Sequence, residues 1–89
     1  MIVRIDKSFE KDVNKIKDKS IRNKILNCIL NVQNAENLKE IKHLEKLKGF
    51  QIEYRIKVVD YRIGLIIENT IVTFIRFLHR KDIYKFFPK

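Results

Sequence analysis

The stretch YRIKVVDYRIGLII, residues 54–67, decides the fold because apolar side chains recur in it at every second position. This period is typical of β-strands with one buried face. If Val59 and Asp60 form a two-residue turn, Val58 pairs with Tyr61, and Lys57 lies directly across from Arg62. Both apolar sets then share one face of a β-hairpin, and this agreement predicts the register.

A third strand is expected after this hairpin. Glu68, Asn69 and Thr70 are read as a three-residue turn in which Asn69 can take a positive φ. That turn length decides which side chains of the strand point inward. The expected core-facing set is Ile71, Thr73, Ile75 and Phe77, and the expected outward set is Val72, Phe74 and Arg76.

The N-terminal half alternates briefly and then turns helical. Residues 1–5 predict a short strand, and Asp6 or Ser8 can cap a helix that ends near Lys19. Ser20 is expected to cap a second helix that forms a hairpin with the first. Apolar residues recur at helical spacing in both. They are Phe9, Val13 and Ile16 in the first helix, and Ile21, Ile25, Cys28, Ile29 and Val32 in the second.

Two segments complete the chain. Residues 34–49 carry an apolar residue at every third position, which fits either a 3₁₀ segment or an ordered loop. Residues 80–87 predict one or two helical turns that end at Pro88. We therefore expect a single domain of the α+β class over residues 1–89. An N-terminal strand and a two-helix hairpin pack on a mainly antiparallel sheet, in the order β-α-α-β-β-β. A short C-terminal helical turn completes the domain.

Composition limits the function classes. The 89 residues carry a formal net charge of +9, which predicts an anionic partner such as nucleic acid, an acidic protein or a membrane surface. No stretch approaches the length of a membrane span. The single cysteine, Cys28, is expected to be a small core residue in a reducing cytoplasm. Two histidines without metal-site spacing argue against structural zinc.

Cations cluster on the polar face of the expected hairpin and after the last strand. Lys57 opposite Arg62 is a like-charge pair, and such a pair destabilises a sheet. Arg55, Arg76 and Arg80 are expected nearby, together with His79 and Tyr84. A solvated sheet face would explain any one of these residues, but their convergence favours a site for phosphodiesters.

The chain offers no carboxylate pair or nucleophilic triad for hydrolysis. RNA can instead be cleaved through its own 2′-hydroxyl, which requires cations near the phosphate and proton transfer. A neighbouring cation favours the neutral form of a lysine, so Arg62 opposite Lys57 would help Lys57 to act as a base. No metal or other cofactor is expected.

Two motifs resemble the RelE/ParE superfamily of toxins from type II toxin–antitoxin modules. The middle motif is YRIKVVDYR, residues 54–62, preceded by LKG at 47–49, and the final motif is HRKDIY, residues 79–84. Val59 and Leu78 depart from the pattern, which usually has glycine at both positions. The gyrase-directed ParE branch generally lacks the terminal tyrosine, so Tyr84 with Arg80 favours the RelE-like, mRNA-cleaving branch.

The resemblance implies ribosome-dependent cleavage of mRNA in the cytoplasm, with a cognate antitoxin as partner and no membrane. It implies Lys57 as base or charge stabiliser, Arg62 and Arg80 as phosphate clamps, and Tyr84 as the residue that stacks on a base. His79 is a candidate proton donor. Further RNA contacts are expected from Lys48, Arg55, Arg76 and Lys81. A gyrase-directed toxin and a catalytically inactive relative that binds its antitoxin or nucleic acid remain alternatives.

Overall fold

The computed structural model describes residues 1–88 and has the expected α+β architecture. The N-terminal half contains β1 (Ile2–Ile5), α1 (Lys7–Asn14), α2 (Lys19–Asn34) and a 3₁₀ turn (Leu38–Glu40). The remainder contains β2 (Leu44–Lys46), β3 (Glu53–Val58), β4 (Tyr61–Glu68), β5 (Ile71–His79) and α3 (Ile83–Phe86). The sheet order is β1-β5-β4-β3-β2, in which β1 runs parallel to β5 and the other pairs are antiparallel.

The β3–β4 hairpin has the predicted register. Val58 pairs with Tyr61 and Lys57 with Arg62, so Val59 and Asp60 form the turn. Val59 has φ +56°, whereas Asp60 is not among the described residues with positive φ. A type I′ turn requires positive φ at both positions, so this turn is not of that type. A β-branched residue in the left-handed region is strained.

The predicted three-residue turn before β5 is wrong. Glu68 pairs with Ile71, so only Asn69 and Thr70 lie in the loop, with Asn69 at φ +57°. One residue fewer in a turn reverses the faces of the following strand. Val72 and Phe74 are therefore buried in the core, whereas Ile71 and Thr73 are only partly buried.

A β-bulge then restores the expected face for Phe77. Gly64 pairs with Arg76 but Leu65 pairs with Phe74, so β5 carries one extra residue, Ile75, at this point. Such a residue shifts the alternation by one position. Phe77 consequently faces the core as predicted, and Arg76 lies on the opposite face.

Both long helices begin at an aspartate. The side chain of Asp6 accepts a hydrogen bond from the N–H of Ser8 at the start of α1. Asp18, not Ser20, caps α2 by accepting from the N–H groups of Ser20 and Ile21. The second helix therefore begins at Lys19, where the first helix was expected to end. The first helix, α1, ends earlier, at Asn14.

The main core lies between the helices and one face of the sheet. Phe9 of α1 contacts Phe74 and Phe77 of β5 edge-on, with ring centroids 5.3 and 6.3 Å apart. Ile25 and Val32 bring α2 to the same cluster, and the remaining residues of its expected stripe pack at the edge of this core. Within residues 1–88, no helix is long and apolar enough to cross a lipid bilayer.

The opposite face of the sheet carries the expected cations, and the C-terminal segment covers part of it. Ile83 and Phe87 of the C-terminal segment are almost fully buried, yet neither belongs to the main core cluster. Phe87 packs on Gly64 so closely that a Cβ atom there would lie 2.5 Å from Cδ2 of the ring. The C-terminal segment thus covers the middle of this face and leaves its end, at the β3–β4 turn, open.

β2 was not predicted as a strand. It has three residues and forms the sheet edge by pairing Leu44 with Ile56 and Lys46 with Tyr54. The 3₁₀ turn that precedes it agrees with one of the two interpretations of this segment. A strand this short shows too little alternation to be recognised.

Candidate functional site

The β3–β4 hairpin places Lys57 and Arg62 side by side on the face opposite the helices. They are paired positions near the end of the hairpin, and Lys57 is exposed. Arg62 donates from Nη1 to the carbonyl oxygens of Val59 (3.0 Å) and Tyr61 (2.8 Å). These bonds hold the turn and orient the guanidinium, so Arg62 has a structural role besides any contact with a ligand.

The end of β5 brings a third cation to this turn. The backbone N–H of Arg80 donates to the carbonyl oxygen of Asp60 at 2.7 Å. Arg80 is exposed, and it follows directly on the last residue of β5. Residues 20 positions apart in the sequence thus meet at one end of the sheet, and Lys57, Arg62 and Arg80 belong to the same corner of the molecule.

Tyr84 follows this corner on α3. Its side chain is 55% exposed, although the neighbouring Ile83 is fully buried. Lys81 is also exposed, and it lies in the turn between β5 and α3. Because the neighbouring Ile83 is buried and fixes this segment, the exposed ring of Tyr84 can stack on a flat partner such as a nucleobase.

His79 is not brought onto the face of Lys57 and Arg62. It pairs with Tyr61, whose side chain lies on the core side, and the two rings meet edge-on with centroids 5.6 Å apart. Nδ1 of His79 accepts a hydrogen bond from the backbone N–H of Lys81 at 3.1 Å. A neutral ring in this arrangement carries its proton on Nε2. The structure thus gives His79 a role in shaping the turn.

Two of the predicted RNA contacts are engaged by acidic residues. Arg55 forms an ion pair with Glu45 of the edge strand β2, and its side chain is only 13% exposed. Arg76 forms an ion pair with Asp12 of α1, which raises the pKa of the guanidinium through hydrogen bonding and charge. Neither arginine is a free cation, although both were expected to contact RNA.

Lys48 lies away from the corner. It is an exposed residue of the turn after β2, and the neighbouring Leu47 donates its N–H to the carbonyl oxygen of Glu53, at the start of β3. Lys57 is near the other end of β3, four residues further, or about 13 Å at the usual rise of a strand. The structure therefore does not bring Lys48 and Arg80 together.

Sequence analysis missed two residues that shape this region. A glycine within a strand signals a bulge or a close approach, and Gly64 provides both. Asp12 lies three residues after Phe9, on the apolar stripe of α1, where an acid without a partner would be costly. That position was a signal for a buried ion pair, although it did not identify Arg76.

A cleft of about 270 Å³ lies between α2 and the end of β3. Its lining includes Lys24 and Cys28 of α2, Lys42, His43 and Lys57. Burial raises the pKa of the Cys28 thiol, which keeps the thiol protonated and poorly nucleophilic near neutral pH. This environment agrees with the expected structural role of Cys28.

Comparison with known proteins gives consistent results. The chain matches, over residues 3–84, the model of a family described as the ParE toxin of type II toxin–antitoxin systems. It is 39% identical over 89 residues to Toxin RelE3 of Methanocaldococcus jannaschii, an alignment that covers 99% of this chain and 100% of that protein.

Two solved structures with the same fold are antitoxin–toxin complexes. One is the RelB–RelE complex from Methanococcus jannaschii, with a TM-score of 0.80, 37% identity, and coverage of 96% of this chain and 99% of the other. Another is the archaeal RelE–RelB complex from Pyrococcus horikoshii, with a TM-score of 0.72, 19% identity, and coverage of 89% and 93%. The second likeness shows the fold alone.

Proposed function

Because the chain belongs to the ParE toxin family of type II toxin–antitoxin systems and is a RelE-type toxin, we propose that it is an endoribonuclease that cleaves mRNA on the ribosome. In this proposal the 2′-hydroxyl of the RNA loses its proton and its oxygen attacks the adjacent phosphorus, which forms a 2′,3′-cyclic phosphate. The bond from phosphorus to the 5′-oxygen breaks, and the departing 5′-oxygen takes up a proton. The protein supplies positive charge and positioning, without a metal ion. Its place of action would be the cytoplasm, and residues 1–89 would act as one domain.

The observation that carries the proposal is the meeting of three cations without acidic partners at one end of the sheet. Within residues 1–88, the arginines and lysines in ion pairs are Arg55, Arg76 and Lys85. Lys57, Arg62 and Arg80 form none there, although they meet at one end of the sheet. Like charges that are adjacent and uncompensated are unfavourable in the free protein and become favourable when a phosphate binds.

Each residue of this corner has a role that follows from its position. We assign Lys57 and Arg80 to the charge that develops on the phosphate, because both are exposed and free of acidic partners. Arg62 contributes through the N–H groups that do not hold the turn. Tyr84 stacks on a base. His79 lies on the other face, so we assign it to the geometry of the turn rather than to proton transfer.

The test is cleavage of ribosome-bound mRNA by Lys57→Ala and Arg80→Ala. Each should lose about 100-fold in rate, as expected for one preorganised charge-stabilising group. Lys17→Ala, an exposed cation between α1 and α2, is the matched control and should retain wild-type activity. Full activity in folded Lys57→Ala and Arg80→Ala would reject this site. Rapid cleavage of naked RNA would reject the ribosome dependence.

A second candidate function is inhibition of DNA gyrase, which is favoured by the ParE description of the matching family. Such a toxin would bind a protein and cut nothing. A gyrase supercoiling assay beside mRNA cleavage separates the two: the proposed nuclease leaves supercoiling unchanged, whereas a gyrase inhibitor stops supercoiling and leaves ribosome-bound mRNA intact.

We also propose a cognate antitoxin as partner, supported by the antitoxin in complexes of similar toxins. A net charge of +9 favours an antitoxin with an acidic, partly disordered segment that folds on this chain as a helix or an added strand. It would cover either the strand face of Arg55, Lys57 and Arg62 or the helix hairpin. Association should slow with added salt, since opposite charges steer encounter. A salt-independent association rate would contradict this mechanism.

A further inference from the structure

Asp12 is the one charged residue buried among residues 1–88, and it accepts three hydrogen bonds. Its Oδ2 accepts from Nε of Arg76 at 2.7 Å and from the backbone N–H of Phe77 at 2.9 Å. Its Oδ1 accepts from Nη2 of Arg76 at 3.1 Å. Two bonds to one guanidinium fix the plane of that group as well as its position.

This contact joins α1 to the free edge of β5. β1 pairs with β5 only as far as Phe74, so the backbone beyond it has no strand partner on that side. Ser8 bonds the carbonyl oxygen of Ile75, and Asp12 accepts from the N–H of Phe77. Part of the role of Asp12 is therefore structural, because it replaces a missing strand at this edge.

The other part of the contact reaches the opposite face of the sheet. The guanidinium carbon of Arg76 lies 5.3 Å from the ring centroid of Phe86, a distance typical of a cation–π contact. Phe86 belongs to α3 and follows Tyr84 by two residues. A chain of contacts thus runs from a buried carboxylate on α1, through Arg76, to the helical turn that carries the exposed tyrosine.

α3 depends on such contacts for its orientation. It has four residues, and no side chain caps its N-terminus. A single isolated turn is unstable in water, so its position must come from tertiary packing. Ile83 and Phe87 anchor it, and the ring of Phe86 on a fixed guanidinium adds a directional contact.

We propose that Asp12 is a positioning residue for Tyr84, which acts by fixing the guanidinium of Arg76 beneath Phe86. The role rests on the proposed function, since Tyr84 must meet a base for its orientation to affect cleavage. Asp12 also neutralises Arg76, so that RNA is drawn to Lys57 and Arg80 rather than to the sheet next to α3.

The experiment combines Asp12→Asn with Tyr84→Ala in single-turnover cleavage of ribosome-bound mRNA. Asp12→Asn should lower the rate by about tenfold or more, because small misplacements of a positioning group cost that much. Tyr84→Ala alone should lower the rate by about 5- to 150-fold, and it should add little in the Asp12→Asn background. Glu10→Gln, an exposed acid on the same helix, is the control and should leave the rate unchanged.

Phe86→Leu breaks the same chain of contacts without disturbing the buried carboxylate. Phe86→Leu should lower the cleavage rate as Asp12→Asn does, and it should likewise reduce the further loss caused by Tyr84→Ala. This variant keeps the proposal testable if Asp12→Asn fails to fold. If the carboxylate of Asp12 only stabilises the fold, Tyr84→Ala should lower the cleavage rate by the same factor in the Asp12→Asn background as in the wild type. Independent losses in both backgrounds overturn the proposal.

Amide hydrogen exchange gives a readout that does not depend on cleavage. Asp12→Asn and Phe86→Leu should speed exchange in residues 83–87 relative to β3 and β4, and Glu10→Gln should not. Unchanged protection of residues 83–87 in both variants overturns the positioning role. If the wild type cleaves no mRNA but the exchange result is as expected, the proposed function fails while the contact between Asp12 and α3 stands.

Discussion

Alanine at Gly64 should displace the C-terminal segment from the sheet. The added Cβ atom would lie 2.5, 2.7 and 2.9 Å from three carbon atoms of the Phe87 ring, all inside van der Waals contact. The ring cannot move inward, because Phe87 is already 97% buried against the sheet. It must therefore shift outward and carry α3 with it.

The cost can be estimated from two opposing effects. Overpacking of this kind destabilises a protein by about 1–3 kcal/mol. Gly64 does not have positive φ, so alanine causes no backbone strain, and it stabilises by about 0.4–1 kcal/mol through the unfolded state. The net loss in the free energy of unfolding should be about 0–2.6 kcal/mol. A loss in the middle of this range corresponds to several degrees in Tm for a domain of this size.

A double-mutant cycle with Phe87→Ala tests the cause. Phe87→Ala alone should cost about 3–5 kcal/mol, as for other buried phenylalanines. Once the ring is absent, Gly64→Ala should be neutral or slightly stabilising, which gives a coupling of about 1–3 kcal/mol between the two sites. Chemical denaturation of the four proteins measures this coupling. Additive losses would show that the ring does not limit the residue at position 64.

Three further predictions concern single residues. Val59→Asn should raise the free energy of unfolding by about 1 kcal/mol, because asparagine tolerates the left-handed φ of +56° and valine at this position is 60% exposed. Val59→Ala should raise the free energy of unfolding by less. Tyr84→Phe should keep most mRNA cleavage while Tyr84→Ala loses about 5- to 150-fold, since stacking survives loss of the hydroxyl; equal losses would indicate a role of the hydroxyl in catalysis. Cys28 should react with iodoacetamide more slowly than a free cysteine at pH 8, because burial raises the pKa of its thiol. Its reaction rate should still rise with pH above about pH 9, where a free thiol is largely ionised. A rate that no longer changes above that pH would contradict the raised pKa.

The hairpin was predictable because two independent features of its sequence agree. Alternation fixed the faces of β3 and β4, and a two-residue turn was the one length that placed both apolar sets together. The β4–β5 turn lacked such a check. Strand β5 has apolar residues at both odd and even positions, so two- and three-residue turns each gave an acceptable pattern. The bulge at Gly64 then changed the alternation within the strand, which a regular period cannot represent.

The paired cations could not have been separated from the unpaired ones by sequence. Asp12 and Arg76 are 64 positions apart, and Glu45 lies on a strand too short to be recognised. Each ion pair joins neighbouring elements of the folded chain. Asp12 and Arg76 connect α1 to β5, and Glu45 and Arg55 connect β2 to β3. Alternation placed Arg55 and Arg76 on the same face as Lys57, and that placement is correct. What it could not show is that acidic residues neutralise both.

On strands β3, β4 and β5, this separation leaves a small group of unpaired cations within a chain of net charge +9. On the outer sheet face, Arg55 and Arg76 flank the row where Phe87 packs on Gly64, and acidic partners cancel their charge there. Within strands β3, β4 and β5, the cations that lack an acidic partner are Lys57 and Arg62, and both lie at the turn end of the sheet, where the C-terminal segment does not reach. A polyanion that approaches this face is therefore attracted most strongly to the corner of Lys57 and Arg80. Removing Glu45 or Asp12 should consequently spread RNA binding over the sheet without strengthening it at the corner.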